Sequence, residues 1–132
     1  MPVLLVEYHL PLARSVRRGL AEEGIATHLA RNDEEADALV WATAYDALLV
    51  DWKVPRCGGA ALARGWRRRG LAVPILLLAT AASDADRRQA FAAGVDALFP
   101  LPFCFAQLLA QLRAWAKPPA RPFFRERDVS CP

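Results

Sequence analysis

An acidic side chain ends an apolar run at two places in the sequence, and these two acids are the residues most suited to chemistry. Asp51 directly follows apolar residues 48–50, and Glu7 follows the apolar run Val3–Val6. Two carboxylates that lie close together repel each other unless a cation or a proton intervenes. Lys53 is the candidate for that cation, with solvent exposure as the alternative because lysine is rarely buried. The alternative for Asp51 is a strand-end acid that bonds nearby backbone amides.

Alternating strands and helices are expected to position these acids. Short apolar runs indicate buried strands, and apolar residues at four-residue steps indicate helices. The predicted strands are Val3–Glu7, Ile25–Ala30, Ala47–Asp51, Pro74–Ala79 and Val95–Phe99. The predicted helices are Pro11–Glu23, Glu34–Ala44, about Ala60–Arg69 and Phe103–Ala116, with one more that begins at Ser83 or Asp84 and ends before Gly94. Apolar strands that alternate with helices are typical of a parallel sheet covered on both faces. Function in such sheets lies at the carboxyl ends of the strands, where both acids are placed.

Composition excludes several classes of protein. The chain has 132 residues, of which 55% are hydrophobic and 23% charged, so we expect one folded domain. No apolar run approaches the length of a membrane span, and the N-terminus lacks the positive segment of a signal peptide. We therefore expect a cytoplasmic protein without membrane contact. The three cysteines show no C-x-x-C spacing, so the pattern does not support a zinc site.

The net charge of +3 arises mostly from the C-terminal residues. Without residues 117–132 the chain has 13 basic and 12 acidic side chains, which is nearly neutral and gives no argument for nucleic-acid binding. The densest basic run is RGWRRRG, at Arg64–Gly70. We interpret it as a solvated helix end, because arginine favours the last helical turn and Gly70 can end the helix.

A series of short motifs occurs in an order and at spacings that are specific together, although each motif alone is weak. The motifs are LLVE, ARSVRRGLAEEG, YDALLVD, VP followed by GG, VPILLL, AAGVDAL and the pair Pro102-Phe103. With them, Val3–Ala116 resembles the receiver domain of bacterial response regulators, with OmpR-like character. The resemblance implies an α/β, flavodoxin-like, doubly wound (βα)5 fold with a parallel sheet in the order 2-1-3-4-5. It also implies a receiver domain at residues 1–116 and a linker or tail containing proline and arginine at residues 117–132.

The resemblance further implies a phosphoryl-transfer site of two-component signalling. In the family, an aspartate on the third strand takes a phosphoryl group from a histidine kinase, and two acids after the first strand help it hold Mg²⁺. The metal and a lysine neutralise charge on the transferring group. A hydroxyl after the fourth strand then bonds the phosphoryl oxygen, and an aromatic residue on the fifth strand rotates inward. Such a domain is a signalling module and not an enzyme, so no residue is assigned as catalytic.

Only part of this residue set is present. Asp51 matches the phosphoacceptor and Glu7 the first acid, whereas Tyr8 stands at the position of the second acid. The other positions hold apolar residues, with Ala79 for the hydroxyl, Leu98 for the aromatic ring and Leu101 for the lysine. A slip of one residue would put Thr80 at the hydroxyl position, but the spacings to Pro74 and Gly94 argue against it.

These substitutions lead us to interpret the chain as an atypical receiver, or pseudo-receiver, with a degenerate phosphorylation site. No cofactor is expected, Mg²⁺ is expected to bind weakly or not at all, and Glu7 and Asp51 would be its ligands if it binds. Lys53 is expected to turn back toward the two acids and supply the missing positive charge. The expected output is protein–protein contact without phosphorylation.

Partners follow from the same resemblance. They are a histidine kinase or an output domain outside this chain, which would carry any DNA contact and any regulation of transcription. A homodimer through the fourth helix, fifth strand and fifth helix is also implied. Asp96 and Arg113 match part of its charge pattern, whereas Ala97, Gln107 and Gln111 replace charges often found there.

Two alternatives stay open. The first is a conventional receiver in which a histidine kinase phosphorylates Asp51. The second is a flavodoxin-like binder of a small molecule, which is weaker because the loops after the first and third strands lack a phosphate cradle rich in Ser, Thr and Gly.

Overall fold

Strands and helices alternate along the chain, as the computed structural model shows for residues 2–116. The strands are β1 (Pro2–Val6), β2 (Ala26–Ala30), β3 (Ala47–Asp51), β4 (Ile75–Ala79) and β5 (Ala97–Pro100). The helices are α1 (Leu10–Glu22), α2 (Asp33–Ala42), α3 (Gly59–Arg68), α4 (Asp84–Ala92) and α5 (Phe105–Ala116). These elements agree in type and order with the predicted ones. The linker or tail expected at 117–132 lies outside the described residues.

All strands join in one parallel sheet with the order β2-β1-β3-β4-β5, which confirms the predicted doubly wound topology. Every residue of β3 and β4 is buried, because these strands lie inside the sheet and helices cover both of its faces. Val6 of β1 pairs with Val50 of β3, so Glu7 and Asp51 follow paired positions. The register of the sheet therefore brings the two acids to neighbouring strand ends.

Two apolar clusters separate the helices into layers. One face of the sheet packs against α2, α3 and α4, with Trp66 as its largest fully buried side chain. The other face packs against α1 and α5, where Leu108 and Leu112 are fully buried. A Cβ atom at Gly19 of α1 would lie 2.7 Å from the Phe105 ring, so a larger residue there would displace this ring. None of the helices in the described part of the chain combines the length and the apolarity that a membrane crossing needs.

Candidate functional site

Glu7 and Asp51 lie side by side at the carboxyl edge of the sheet, as the sequence predicts. Their side chains are nearly inaccessible, with 0% of Glu7 and 5% of Asp51 exposed to solvent. Asp51 closes β3, and Glu7 follows β1. A buried pair of acids is costly unless a proton or a cation neutralises part of its charge. The pair is therefore the feature of the fold that most needs a chemical explanation.

Backbone amides satisfy only part of this pair. Asp51 Oδ1 accepts a hydrogen bond of 2.7 Å from the amide of Lys53, and Glu7 Oε2 accepts one of 3.1 Å from the amide of His9. Glu7 Oε1 is buried and receives no donor from the described residues. A hydrogen bond between the Glu7 and Asp51 carboxyls requires a proton on one of them. The local amides thus leave room for one more positive charge.

The pKa of Glu7 reflects this arrangement. Burial, the hydrogen bond to Asp51 and the negative charge of Asp51 raise the pKa of Glu7 from its ordinary 4.5 to about 8. The amides of His9 and Tyr8 act in the opposite direction without cancelling the increase. At neutral pH the pair therefore holds one proton when no cation is bound.

The same two carboxylates fit part of a magnesium site. Mg²⁺ in proteins takes one or two carboxylates and keeps several water ligands, and the unpartnered Oε1 of Glu7 suits such a role. Among the described residues, no group of three His, Cys, Asp or Glu side chains could hold a metal. Bound Mg²⁺ would take the place of the shared proton, with Glu7 and Asp51 as its protein side-chain ligands.

The ion pair predicted for Lys53 is not formed. Its side chain is exposed, its Nζ atom lies 6.0 Å from the centre of the Trp52 ring, and no salt bridge within residues 2–116 joins it to an acid. An ammonium group that stays in water avoids the cost of desolvation. Lys53 instead donates a hydrogen bond from its backbone amide to Asp51. This agrees with the alternative prediction for Asp51, a strand-end acid that bonds nearby backbone amides.

Tyr8 adds no ligand to the acid pair. The residue is 43% exposed, and its hydroxyl makes no hydrogen bond to Asp51 or to any other described residue. The Tyr8 side chain is therefore exposed and takes no part in the hydrogen bonding of the acid pair.

Three apolar residues occupy the remaining positions singled out by the resemblance. Ala79 is the last residue of β4 and is buried, while Thr80 follows it and is exposed. Leu98 is half-buried and packs against the cluster under α2, α3 and α4. Leu101 is also half-buried but packs against the cluster under α1 and α5, and its amide bonds the carbonyl of Ala79 at 3.0 Å. Their side chains bring no hydroxyl, ammonium or aromatic group to the carboxyl edge.

Sequence reasoning missed the part that Gly59 plays beside Asp51. A Cβ atom at Gly59 would lie 2.7 Å from the Asp51 carbonyl oxygen and 2.6 Å from Leu77, so α3 approaches the end of β3 only with glycine there. The Gly59 amide also bonds the carbonyl of Trp52 at 2.9 Å. One of the sequence motifs contains the glycine pair at residues 58–59, but the steric reason for glycine there is visible only in three dimensions.

Arg56 was missed as well. It lies in the loop between β3 and α3 with φ of +80°, in the left-handed region that favours glycine. One of its guanidinium nitrogens bonds both carboxylate oxygens of Asp33, at 3.0 and 3.1 Å, and so ties this loop to α2. The two residues are 23 positions apart, and no sequence pattern indicated the contact.

A doubly wound sheet of this order, with an aspartate at the end of β3 and an acid beside it, defines the class of receiver domains in signal transduction. Residues 3–113 match the family model described as the response regulator receiver domain, and the chain belongs to that family.

Curated relatives include response regulators named MprA. The one from Mycobacterium avium is 34% identical over 114 residues, which is 86% of this chain and 50% of the relative. The one from Mycobacterium leprae is 35% identical over the same length. The chain thus spans about half the length of the curated relatives that it matches.

Solved structures show the same fold. The receiver domain of the Francisella response regulator 1452 has a TM-score of 0.82 at 24% identity, covering 86% of this chain and 94% of that one. The receiver domain of the sensor histidine kinase PA1611 from Pseudomonas aeruginosa has a TM-score of 0.78 at 28% identity, covering 86% and 95%. That second structure has a magnesium ion coordinated in its active-site cleft.

Proposed function

We propose that this receiver domain signals through protein contacts without depending on phosphorylation of Asp51. The packing of Leu101 carries the proposal: at the position of the lysine, an apolar side chain is built into the cluster under α1 and α5. A transferring phosphoryl group would meet no side-chain cation there. Ala79 also offers no hydroxyl, and Leu98 no ring that could rotate. The site therefore lacks the side chains that support phosphoryl transfer and the ring that would rotate in response to it, while the acid pair remains.

The partners belong to the proposal. The proposed domain comprises residues 1–116 and acts in the cytoplasm. Its expected partner is a histidine kinase or an output domain outside this chain. A homodimer through α4, β5 and α5 also stays a proposal, but the charges expected to support it are not available for contacts between chains. Asp96 bonds Arg67 at 2.8 Å and Arg113 bonds Glu23 at 2.8 Å, so both charges are already paired within one chain. Such a dimer would rest on apolar contacts more than on charges.

The test is the mass of the intact protein after incubation with acetyl phosphate and Mg²⁺. We expect no gain of a phosphoryl group, since the lysine and hydroxyl are absent from the site. The matched control is a variant with Tyr8→Asp, Ala79→Thr and Leu101→Lys, which restores the family set and should become modified. A phosphoryl group on the unaltered chain, lost again in Asp51→Asn, would overturn the proposal.

The second candidate function is that of a conventional phosphoaccepting receiver. The observation in its favour is the intact pair of Glu7 and Asp51, which keeps the nucleophile beside an acid with an unpartnered oxygen. Modification of the unaltered chain in the same experiment would select this function.

A further inference from the structure

The strand β2 lies at one edge of the sheet, and part of its backbone has no partner among residues 2–116. Ala30 directs its carbonyl to β1, where it accepts a hydrogen bond of 2.9 Å from the amide of Glu7. Successive residues of a strand direct their N–H and C=O groups to opposite sides, so every second residue of β2 bonds β1. The residues between them, Thr27 and Leu29, direct their backbone groups away from the sheet.

The strand β2 also lacks the features that usually protect an edge strand from pairing. Natural proteins use proline, charged side chains and short strands for this purpose. The strand at the opposite edge, β5, has four residues and ends at Pro100. The strand β2 has five residues, with the sequence ATHLA, and contains no proline, lysine, arginine or acid. Its free edge is therefore suited to pairing with another extended strand.

The free backbone groups of β2 are self-complementary. Thr27 and Leu29 lie on either side of His28, so a two-fold axis at His28 would set Thr27 opposite the partner's Leu29 in an antiparallel second copy. Each such pair would exchange both of its N–H···O=C bonds, as hydrogen-bonded pairs of antiparallel strands do. His28 would face its own counterpart in a non-hydrogen-bonded pair. One surface patch thus serves both copies, as an interface with two-fold symmetry requires.

The charges that flank β2 favour the same antiparallel arrangement. Glu22 ends α1 shortly before the strand and Arg31 directly follows it. Both side chains are exposed, and neither forms an ion pair or a side-chain hydrogen bond within the described part of the chain. The acids at the start of α2 already have partners, namely Arg56 and the amide of Arg31. Antiparallel pairing would bring each Arg31 to the end where the partner's Glu22 lies, whereas parallel pairing would bring like charges together.

We propose that two copies of this domain associate through their β2 strands and join their sheets into one continuous sheet. The partner is a second copy of the chain, because the free backbone groups and the flanking charges both match under a two-fold rotation. A single strand edge buries little surface, so the association is weak and depends on concentration. It requires neither phosphate on Asp51 nor a homodimer through α4, β5 and α5, which lie toward the other edge of the sheet.

Disulfide trapping tests the position of the two-fold axis. Opposed residues of a non-hydrogen-bonded pair have Cα atoms about 4.5 Å apart, within the range of about 4.4–6.8 Å found in disulfides. His28→Cys, in the full chain with Cys57→Ser to remove an exposed thiol, should form covalent dimers under mild oxidation. The matched control is Ala26→Cys, which is exposed on the same face of β2. It should not cross-link above the background of the Cys57→Ser chain, because the partner's Ala30 would lie opposite it.

The flanking charges allow a second test that leaves β2 unaltered. Sedimentation velocity at a series of protein concentrations measures self-association of the full chain. Two exposed charge pairs, each worth up to about fivefold in affinity, would be lost in Arg31→Glu, so association should weaken by roughly tenfold. Adding Glu22→Arg to the same chain exchanges the two charges and should restore the association.

The results of the two tests support or overturn the proposal together. Cross-linking at position 28 but not at position 26, with recovery of association in the exchanged pair, supports it. Equal cross-linking at both positions, or association without cross-linking at position 28, would overturn it. A chain that stays monomeric at every concentration, or an association that Arg31→Glu leaves unchanged, would overturn it as well. The phosphorylation assay is separate, so either proposal can fail alone.

Discussion

At the scale of single residues, the buried carboxyl of Glu7 links the fold to pH. Its pKa is raised from 4.5 to about 8, so the folded chain binds more protons than the unfolded chain between these values. Stability must therefore fall as pH rises from about 4.5 to 8 and level off above that range, where both states are ionised. We expect a loss on the order of a few kcal/mol from this group, measured by urea unfolding at a series of pH values.

Glu7→Gln is the control for this pH dependence. The amide keeps the size of the side chain and cannot ionise, so the slope between pH 5 and 8 should flatten. A slope that persists unchanged in Glu7→Gln would show that another group is responsible.

Trp52 gives a second test at this scale, because it directly follows Asp51 and is half-buried. We expect millimolar Mg²⁺ to leave its fluorescence unchanged at neutral pH, since Tyr8 removes a ligand and the acid pair already holds a proton. The signal of Trp52 is isolated by subtracting that of a Trp52→Phe variant, as the chain has four tryptophans. Tyr8→Asp should gain a saturable response. A saturable response of the unaltered chain to Mg²⁺ or to beryllofluoride would contradict the expectation.

At the scale of elements, Asp37 joins α2 to α3. Its Oδ1 atom accepts hydrogen bonds from the indoles of Trp66 and Trp41, at 3.0 and 3.1 Å, and from Arg69 at 2.9 Å. Burial opposes ionisation, but these donors prevail and lower the pKa of Asp37. The Arg69 guanidinium also lies 4.6 Å from the centre of the Trp41 ring, which adds a cation–π contact to the same junction.

Asp37→Ala should therefore destabilise the fold by about 1–3 kcal/mol, because the buried indole of Trp66 loses its acceptor. Chemical denaturation measures the change. The matched control is Asp84→Ala on α4, which removes an exposed acid without a described partner and should cost about 0.5 kcal/mol or less. Similar losses in both variants would refute a specific role for Asp37.

The elements α4, β5 and α5 are expected to keep one conformation. Leu98 packs against the cluster under α2, α3 and α4 and has no hydroxyl to exchange between partners, and Ala79 offers it none. Relaxation-dispersion NMR detects exchange between two states on the microsecond to millisecond scale. Strong dispersion clustered on Ala79, residues 83–93 and Leu98 would contradict a single conformation, while the variant with the restored family set serves as the comparison.

At the scale of the whole molecule, the apolar runs and helical stripes are local signals that predicted the alternating strands and helices, whereas the strand order was implied by the resemblance to receiver domains. Even the neighbouring positions of Glu7 and Asp51 followed, since parallel strands align their carboxyl ends. The position of the Lys53 side chain could not be predicted from the sequence, because it depends on whether the ammonium group stays hydrated. The ties from Arg56 to Asp33 and from Trp66 to Asp37 were also hidden, because they join residues 23 and 29 positions apart.

The central place of β3 in the sheet has a consequence for the rates of amide hydrogen exchange. Backbone amides exchange hydrogen with water only when their bonds open, and β3 is enclosed by β1 and β4, so its amides should await the unfolding of the whole domain. The amide of Lys53, by contrast, is held by the Asp51 side chain and is released whenever that carboxylate rotates. Hydrogen-exchange NMR should find Val50 among the slowest amides and Lys53 far faster, and equal rates would disprove this. The candidate site would then open more often than β3, the strand that ends in it.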